Sequence, residues 1–224
     1  MKSGICAGDG AVRECIAWML DRGFAGVTPT AMATFACKSV HEDQRVGSLQ
    51  MYVHHECSAE DLGPSLFPTE DVHAIAILDI RLLNQDRHVG NILVQKLASG
   101  RAGHGLRLVP IDHGFCLPHP TAIDETQFAW LNWSQAKTPL SEAFRQYVLG
   151  LDVEGELAML GCALGDALPS PQYLLTLRIG TALLQQGVAA GLSVFDIGKL
   201  ATRCRPNLPC LLEHAVDEAL RRLG

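Results

Sequence analysis

The stretch ILDIRLLNQDRHVGNILV, residues 77–94, runs from an apolar helical pattern into a loop of amides and charges, then back into an apolar run. Val72, Ile75, Ala76, Leu82 and Leu83 recur at helical spacing, which predicts a helix from about Thr69 to Leu83. Asp86, Arg87, His88 and Asn91 crowd the loop that follows. ILVQKL (92–97) and LRLVPI (106–111) read as two strands joined by ASGRAGHG, whose glycines suit a hairpin turn. Directly after the second strand stands Asp112-His113-Gly114.

Asp86 and Asn91 are five residues apart, and Asp112 closes the hairpin. This is a phosphoryl-transfer layout: one carboxylate near the attacking hydroxyl, and an amide plus a second carboxylate holding magnesium against the phosphates of ATP. Magnesium favours hard oxygen ligands and needs only a few from the protein. Protein kinases have the same Asp-to-Asn spacing, followed by Asp-Phe-Gly for the metal. Asp and Asn after a helix also serve as plain turn and capping residues. The order helix, polar loop, apolar hairpin, Asp-x-Gly is what favours kinase chemistry.

Upstream, a helix is predicted from about Asp9 to Arg22, with Asp9 as N-cap and Val12, Ile16, Met19 and Leu20 on one face. ATFACKSV (33–40) and VGSLQMYV (46–53) then read as a hairpin. Downstream, helices are predicted over 141–149, 153–164, 170–188, 193–202 and 209–223. The expected class is α+β, a small mixed portion followed by a helical one, with the polar cluster at their junction.

The 224 residues are 48% apolar, enough for a buried core. A formal charge of -6 argues against nucleic acid as a partner, which needs a basic surface. Arg203, Arg205, Arg221 and Arg222 read as a solvated face. The most apolar segment, GTALLQQGVAAGLSVF (180–195), is broken by Gln185 and Gln186, and MKSGICAGDG lacks the apolar core of a signal peptide. The expected location is therefore cytoplasmic, peripheral to membranes. The eight scattered cysteines read as reduced, mostly buried thiols.

ILDIRLLNQDRHVGNILV together with LVPIDHGFCLP (108–118) resembles the catalytic and metal-binding loops of the phosphatidylinositol 3- and 4-kinase family, where Asp-Arg-His replaces the protein-kinase His-Arg-Asp. The resemblance is closest to the plant-type gamma class of phosphatidylinositol 4-kinases. It extends to AVRECIAWMLDRGFAGVTPTAM (11–32), GSLQMYVHH (47–55) and FAWLNWSQAKTPLSE (128–142). It implies a kinase-like fold, with a truncated small N-lobe over 1–53 and a mainly helical C-lobe over 54–224. It also implies ATP and Mg2+ as cofactors and phosphatidylinositol at a membrane surface as partner. Asp86 becomes the catalytic aspartate, assisted by His88 as base or transition-state stabiliser, or braced by it structurally. Asn91 and Asp112 become the magnesium ligands, Leu93 and Ile111 the apolar floor under adenine, and Tyr52 and Val53 the interlobe segment at the adenine edge. Glu14 matches the glutamate that pairs with a phosphate-binding lysine.

That lysine has no counterpart, because only thirteen residues precede Glu14, Lys2 is a poor substitute and Lys38 falls on a later strand. The resemblance thus implies a kinase copy shortened at its N-terminus. A pseudokinase or interaction module, and a protein Ser/Thr kinase on the same fold, remain as alternatives. A metal-dependent hydrolase using Asp79, Asp86, His88, Asp112 and His113 ranks behind them, since periodicity turns Asp79 away from the loop. Between Asp112 and Ser141 only His113, His119 and Lys137 can be cationic, which suits an inositol headgroup without extra phosphates. Trp130 and Trp133 suit a membrane interface or core packing, with packing expected of at least one.

Overall fold

The computed structural model describes residues 8–36, 44–97, 105–205 and 207–223. Helix α1 (Gly10–Asp21) leads to an antiparallel pair, β1 (Thr30–Ala36) and β2 (Gln44–Gln50), in which Thr30 faces Gln50. The first strand of this hairpin begins three residues earlier than its apolar pattern suggests. Lys38 lies outside the described residues. Ile16 and Leu20 root α1 in the core. Its end is fixed by Asp21, whose carboxylate accepts hydrogen bonds from the amides of Ala25, Gly26 and Val27 at 2.7, 3.0 and 2.9 Å. Burial raises the Asp21 pKa, and those three amides oppose it. Asp9 occupies the N-cap position but makes no capping bond, and lies 3.4 Å from Arg13 instead.

The rest of the chain is organised around α2 (Thr69–Leu82). Glu70 and Asp71 sit in its first turn and Arg81 in its last, complementing the helix dipole. Every residue from Val72 to Leu82 is buried, so α2 has no solvent face. It stops at Leu83, whose left-handed φ of 45° folds the chain back on the helix end. A three-stranded antiparallel sheet follows the order β3-β4-β5, from β3 (Cys57–Ser58), β4 (Ile92–Lys96) and β5 (Leu106–Pro110). Its register pairs Leu93 with Val109. Asp71 ties α2 to β5 by accepting from the Leu108 amide at 2.8 Å.

Five helices complete the fold: α3 (Glu142–Leu149), α4 (Val153–Leu164), α5 (Pro171–Ala189), α6 (Val194–Ala201) and α7 (Leu211–Leu223). Each ends within two residues of its predicted bounds. Trp130 and Trp133 are 0% and 4% exposed, so both pack in the core and neither is available to a membrane interface. Of the described cysteines, Cys15, Cys116 and Cys210 are buried, Cys57 is half-buried, and Cys162 and Cys204 are exposed, so burial is less general than expected. All six are free thiols. Among the described residues no helix is long and apolar enough to cross a membrane.

Helix α5 approaches the end of α2 closely because position 180 is glycine. A Cβ there would lie 2.3 Å from the Arg81 carbonyl oxygen and 2.7 Å from that of Ile80. Neither backbone can swing away as a side chain does. Gly180→Ala is therefore expected to lower stability by on the order of 3 kcal/mol, read as a lower urea midpoint with unchanged slope.

Candidate active site

The left-handed turn at Leu83 sends the polar loop back across the last turns of α2, and Asp79 receives it. Arg87 Nε lies 3.0 and 3.1 Å from the two Asp79 oxygens, with both side chains fully buried. Asn84 Nδ2 and Trp130 Nε1 also donate to Asp79, at 3.2 and 3.0 Å. The expectation that Asp79 faces away from the loop is thus overturned. Helical periodicity assigns faces only where one side meets solvent, and α2 is surrounded. With its oxygens engaged in four hydrogen bonds from three donors, Asp79 is not a metal ligand. Among the described residues no cluster of His, Cys, Asp and Glu is placed to hold a metal by itself, which removes the basis for the hydrolase reading.

Arg87 does more than neutralise Asp79. Its Nη1 donates to the carbonyls of Asn91, at 2.6 Å, and Ile111, at 2.7 Å. The Ile111 amide donates to the same Asn91 carbonyl at 3.0 Å. The Asp86–Asn91 loop and the Asp-His-Gly loop are therefore stitched together one residue from Asp112. Asn91 is buried, its Nδ2 donating to the Asp86 carbonyl at 3.0 Å, and its Oδ1 makes no hydrogen bond among the described residues. Asp86 is half-buried, its amide held by Asn84 Oδ1 at 2.9 Å. His88 is exposed, and its Nδ1 accepts from the Gly90 amide at 3.1 Å. That bond braces the loop and leaves Nε2 outward.

Asp112 sits at a left-handed φ of 56°, a conformation strained for most residues and tolerated by Asp. Its exposed carboxylate has neither hydrogen bond nor ion pair among the described residues. Next to it, His113 is 1% exposed. The His113 amide donates to Glu14 Oε1 at 2.7 Å, and Gln50 Nε2 donates to Glu14 Oε2 at 2.6 Å. The His113 ring lies 3.4 Å from Glu14 Oε2 through Nδ1, but neither ring nitrogen makes a hydrogen bond. Burial pushes the Glu14 carboxyl upward. The close approach of the His113 ring, the His113 backbone amide and the Gln50 amide outweigh that, and the net shift is downward. Glu14 is thus held as a carboxylate that joins α1, β2 and the metal loop. Arg13, beside it, donates to the carbonyls of Cys116 and Leu117, and its guanidinium lies 4.8 Å from the Tyr173 ring centre. Full burial pushes the Cys116 thiol up to about 12, against the Arg13 charge.

A cleft of roughly 680 Å³ is lined by Glu14, Tyr52, Val53, Leu93, Ile111 and Asp112, together with Thr28, Gln50, Met51 and His55. Six of the nine site residues named from the sequence therefore share one cavity. Asp86, His88 and Asn91 do not line it. They stand on the loop joined to its Asp112 rim through the Arg87 bonds. Leu93 and Ile111 come from the β4–β5 hairpin, and Tyr52 and Val53 from the segment leaving β2. That segment is anchored by the Met51 amide on the Pro29 carbonyl, at 2.9 Å. The Val53 amide makes no hydrogen bond among the described residues. Sequence reasoning gave Arg87, Arg13 and Gln50 no role at this site and weighed Asp79 only as a doubtful hydrolase ligand. The signal for Arg87 was its position between Asp86 and His88, the two residues that the resemblance singles out.

The helical body, the small sheet and a carboxylate-and-amide loop pair beside a cleft define a kinase-type α+β fold. A family profile described as "Phosphatidylinositol 3- and 4-kinase" matches residues 1–196. The chain is 41% identical to phosphatidylinositol 4-kinase gamma 4 of Arabidopsis thaliana over 236 residues, which cover 98% of this chain and 40% of that protein. Phosphatidylinositol 4-kinase gamma 2 of Arabidopsis thaliana is 39% identical over 98% of this chain and 42% of its own length. For phosphatidylinositol 4-kinase gamma 4 of Oryza sativa subsp. japonica the values are 40%, 98% and 39%. The chain belongs to the phosphatidylinositol 3- and 4-kinase family. It spans about two fifths of the length of these curated relatives.

Removing one partner of a buried ion pair leaves the other charge uncompensated. Arg87→Ala is expected to lower stability by about 3–5 kcal/mol. Chemical denaturation checks this, and a loss of under about 1 kcal/mol would show the pair to be peripheral.

Proposed function

We propose that this chain carries the magnesium-ATP site of a phosphatidylinositol 4-kinase-type phosphotransferase, acting in the cytoplasm at a membrane surface. The observation that supports this most is the cleft in which Glu14, Tyr52, Val53, Leu93, Ile111 and Asp112 meet. Leu93 and Ile111 supply the apolar floor for adenine, and the unbonded Val53 amide faces its polar edge. Asn91 Oδ1 and the Asp112 carboxylate are hard oxygens without partners among the described residues, so they fit magnesium, which takes its remaining ligands from phosphates and water. When bound, the ion offsets charge on the phosphates. In this reading residues 1–53 form a small lobe and 54–224 a larger one, and the lining of the cleft draws on both ranges.

In the transfer, the lipid hydroxyl oxygen forms a bond to the γ-phosphorus. The bond from that phosphorus to the β–γ bridging oxygen breaks, and ADP leaves with the electron pair. The hydroxyl proton passes to Asp86 or to the outward Nε2 of His88. Catalysis of this kind is mostly positioning and electrostatic stabilisation. Here positioning is supplied by the Arg87 bonds, which keep the two loops in register.

A second reading, a catalytically weakened interaction module, is favoured by one observation. Among the described residues no lysine pairs with Glu14, and its oxygens already accept from Gln50 and His113. Without a cation there, the phosphates lose part of their stabilisation.

A fluorescent ATP analogue is expected to bind the 224-residue chain in a magnesium-dependent way, and Asp112→Ala to weaken that binding by at least about tenfold. Unchanged magnesium-dependent binding in Asp112→Ala would remove the proposed ligand set. No binding in a folded sample would favour the interaction module.

A further inference from the structure

One face of the β4–β5 hairpin carries Leu93 and Gln95 opposite Val109 and Arg107, because alternate residues of a strand share a side. Leu93 reaches the cleft, whereas Gln95, Arg107 and Val109 line a separate cavity of roughly 350 Å³. Residues 51–54 cross this face and divide the two spaces. They are pinned at one end by the Met51 amide on the Pro29 carbonyl. At the other end Gln95 Nε2 donates to the His54 carbonyl at 2.7 Å, and the Glu56 amide donates to the Val94 carbonyl at 2.9 Å. Thr28, Met51, Tyr52 and Val53 line both cavities, so this segment is their common wall.

The far wall of the rear cavity is the turn between α1 and β1, held by the Asp21 carboxylate. Gly26, at a left-handed φ of 89°, lets this turn lie against Arg107, since a Cβ at position 26 would stand 3.0 Å from Arg107 Nη2. The chain has a formal net charge of -6, yet no Asp or Glu lines this cavity. Arg107 is exposed and makes no ion pair or hydrogen bond among the described residues. The carboxylates on the adjoining helices are already engaged, Asp71 by the Leu108 amide and Asp21 by the amides of the turn. Val27 and Val109 are buried and give the space a fixed apolar floor. At its mouth the exposed Tyr52 ring stands edge-on to His54, with ring centres 5.2 Å apart. A volume of this size lies within the usual range for small-molecule sites.

We infer that the rear cavity binds a small carboxylic acid with an apolar, ring-bearing body. The planar fork of Arg107 matches a carboxylate through two parallel hydrogen bonds. A phosphate monoester brings a second negative charge, and no second permanent cation lines the cavity. The apolar body lies on Val27, Pro29 and Val109, and its ring meets Tyr52 and His54. A bound acid bridges the α1–β1 turn and the β4–β5 hairpin behind residues 51–54, and so holds that segment in the form it presents to the cleft. Acid and nucleotide then each tighten the binding of the other, as linkage requires. The site is independent of the phosphotransferase reading, and only this coupling rests on it.

The test is titration of hydrocinnamate into the full chain, followed by backbone amide chemical shifts, with uncharged hydrocinnamamide and inorganic phosphate as separate ligands. Wild type is expected to bind hydrocinnamate at least about tenfold more tightly than hydrocinnamamide, and Arg107→Ala to lose about that factor for the acid alone. Arg107→Lys, which keeps the charge without the fork, is expected to fall between them. Saturating hydrocinnamate is expected to tighten magnesium-dependent binding of the fluorescent ATP analogue at least about fivefold in wild type. Arg107→Ala is expected to show wild-type nucleotide affinity without the acid and no gain with it. Equal binding of acid and hydrocinnamamide by wild type, a comparison that needs no variant, would overturn the proposal. So would unaltered acid binding in Arg107→Ala, inorganic phosphate binding as tightly as the acid, or nucleotide affinity unmoved by saturating acid. Absence of nucleotide binding, with acid binding present and lost in Arg107→Ala, would count against the phosphotransferase reading and leave the cavity assigned.

Discussion

Two full charges, Asp79 and Arg87, are removed from water in the middle of this protein, and everything around the site is arranged to make that tolerable. A buried ion pair is stabilised when further hydrogen bonds engage its donors and acceptors. Asn84 and Trp130 complete the carboxylate, and the carbonyls of Asn91 and Ile111 both accept from Arg87 Nη1, while Nη2 has no partner among the described residues. Those partners come from the end of α2, the polar loop, the segment after the metal loop and the end of β5. Satisfying one pair of charges therefore fixes the polar loop against the end of β5, the side of the cleft that carries Ile111 and Asp112.

Glu14 does the same work from the other side. Its oxygens join β2 through Gln50 to the Asp-His-Gly loop through the His113 amide, while Arg13 grips the next two carbonyls of that loop. Between these anchors Asp112 keeps a left-handed backbone and an unpaired carboxylate. A strained, unpartnered acid at the rim of a cavity persists only where its surroundings over-determine it. Two networks converging on one loop provide that.

The helices were legible because apolar residues recur at their spacing, and α4 has the predicted bounds while the others shift by no more than two residues at either end. Of the nine residues named from the sequence, the six that share the cleft were named by spacing for Asp112 and by resemblance for the other five. What was not legible depends on contacts that sequence distance hides. Gln50 meets Glu14 across 36 residues, and Arg87 meets Ile111 across 24. β3 is two residues long, too short to leave a pattern. The orientation of Asp79 was misread because a helix buried on all sides offers periodicity nothing to report.

If the Asp79–Arg87 network makes the two loops one unit bearing a nucleotide site, they must respond to ligand together. Backbone hydrogen exchange on the full chain, with and without magnesium-ATP, measures this directly. The expected result is a concerted rise in protection over residues 84–93 and 111–117, with a matching rise at Met51–Val53. Protection confined to one loop, or none in either, would contradict the account.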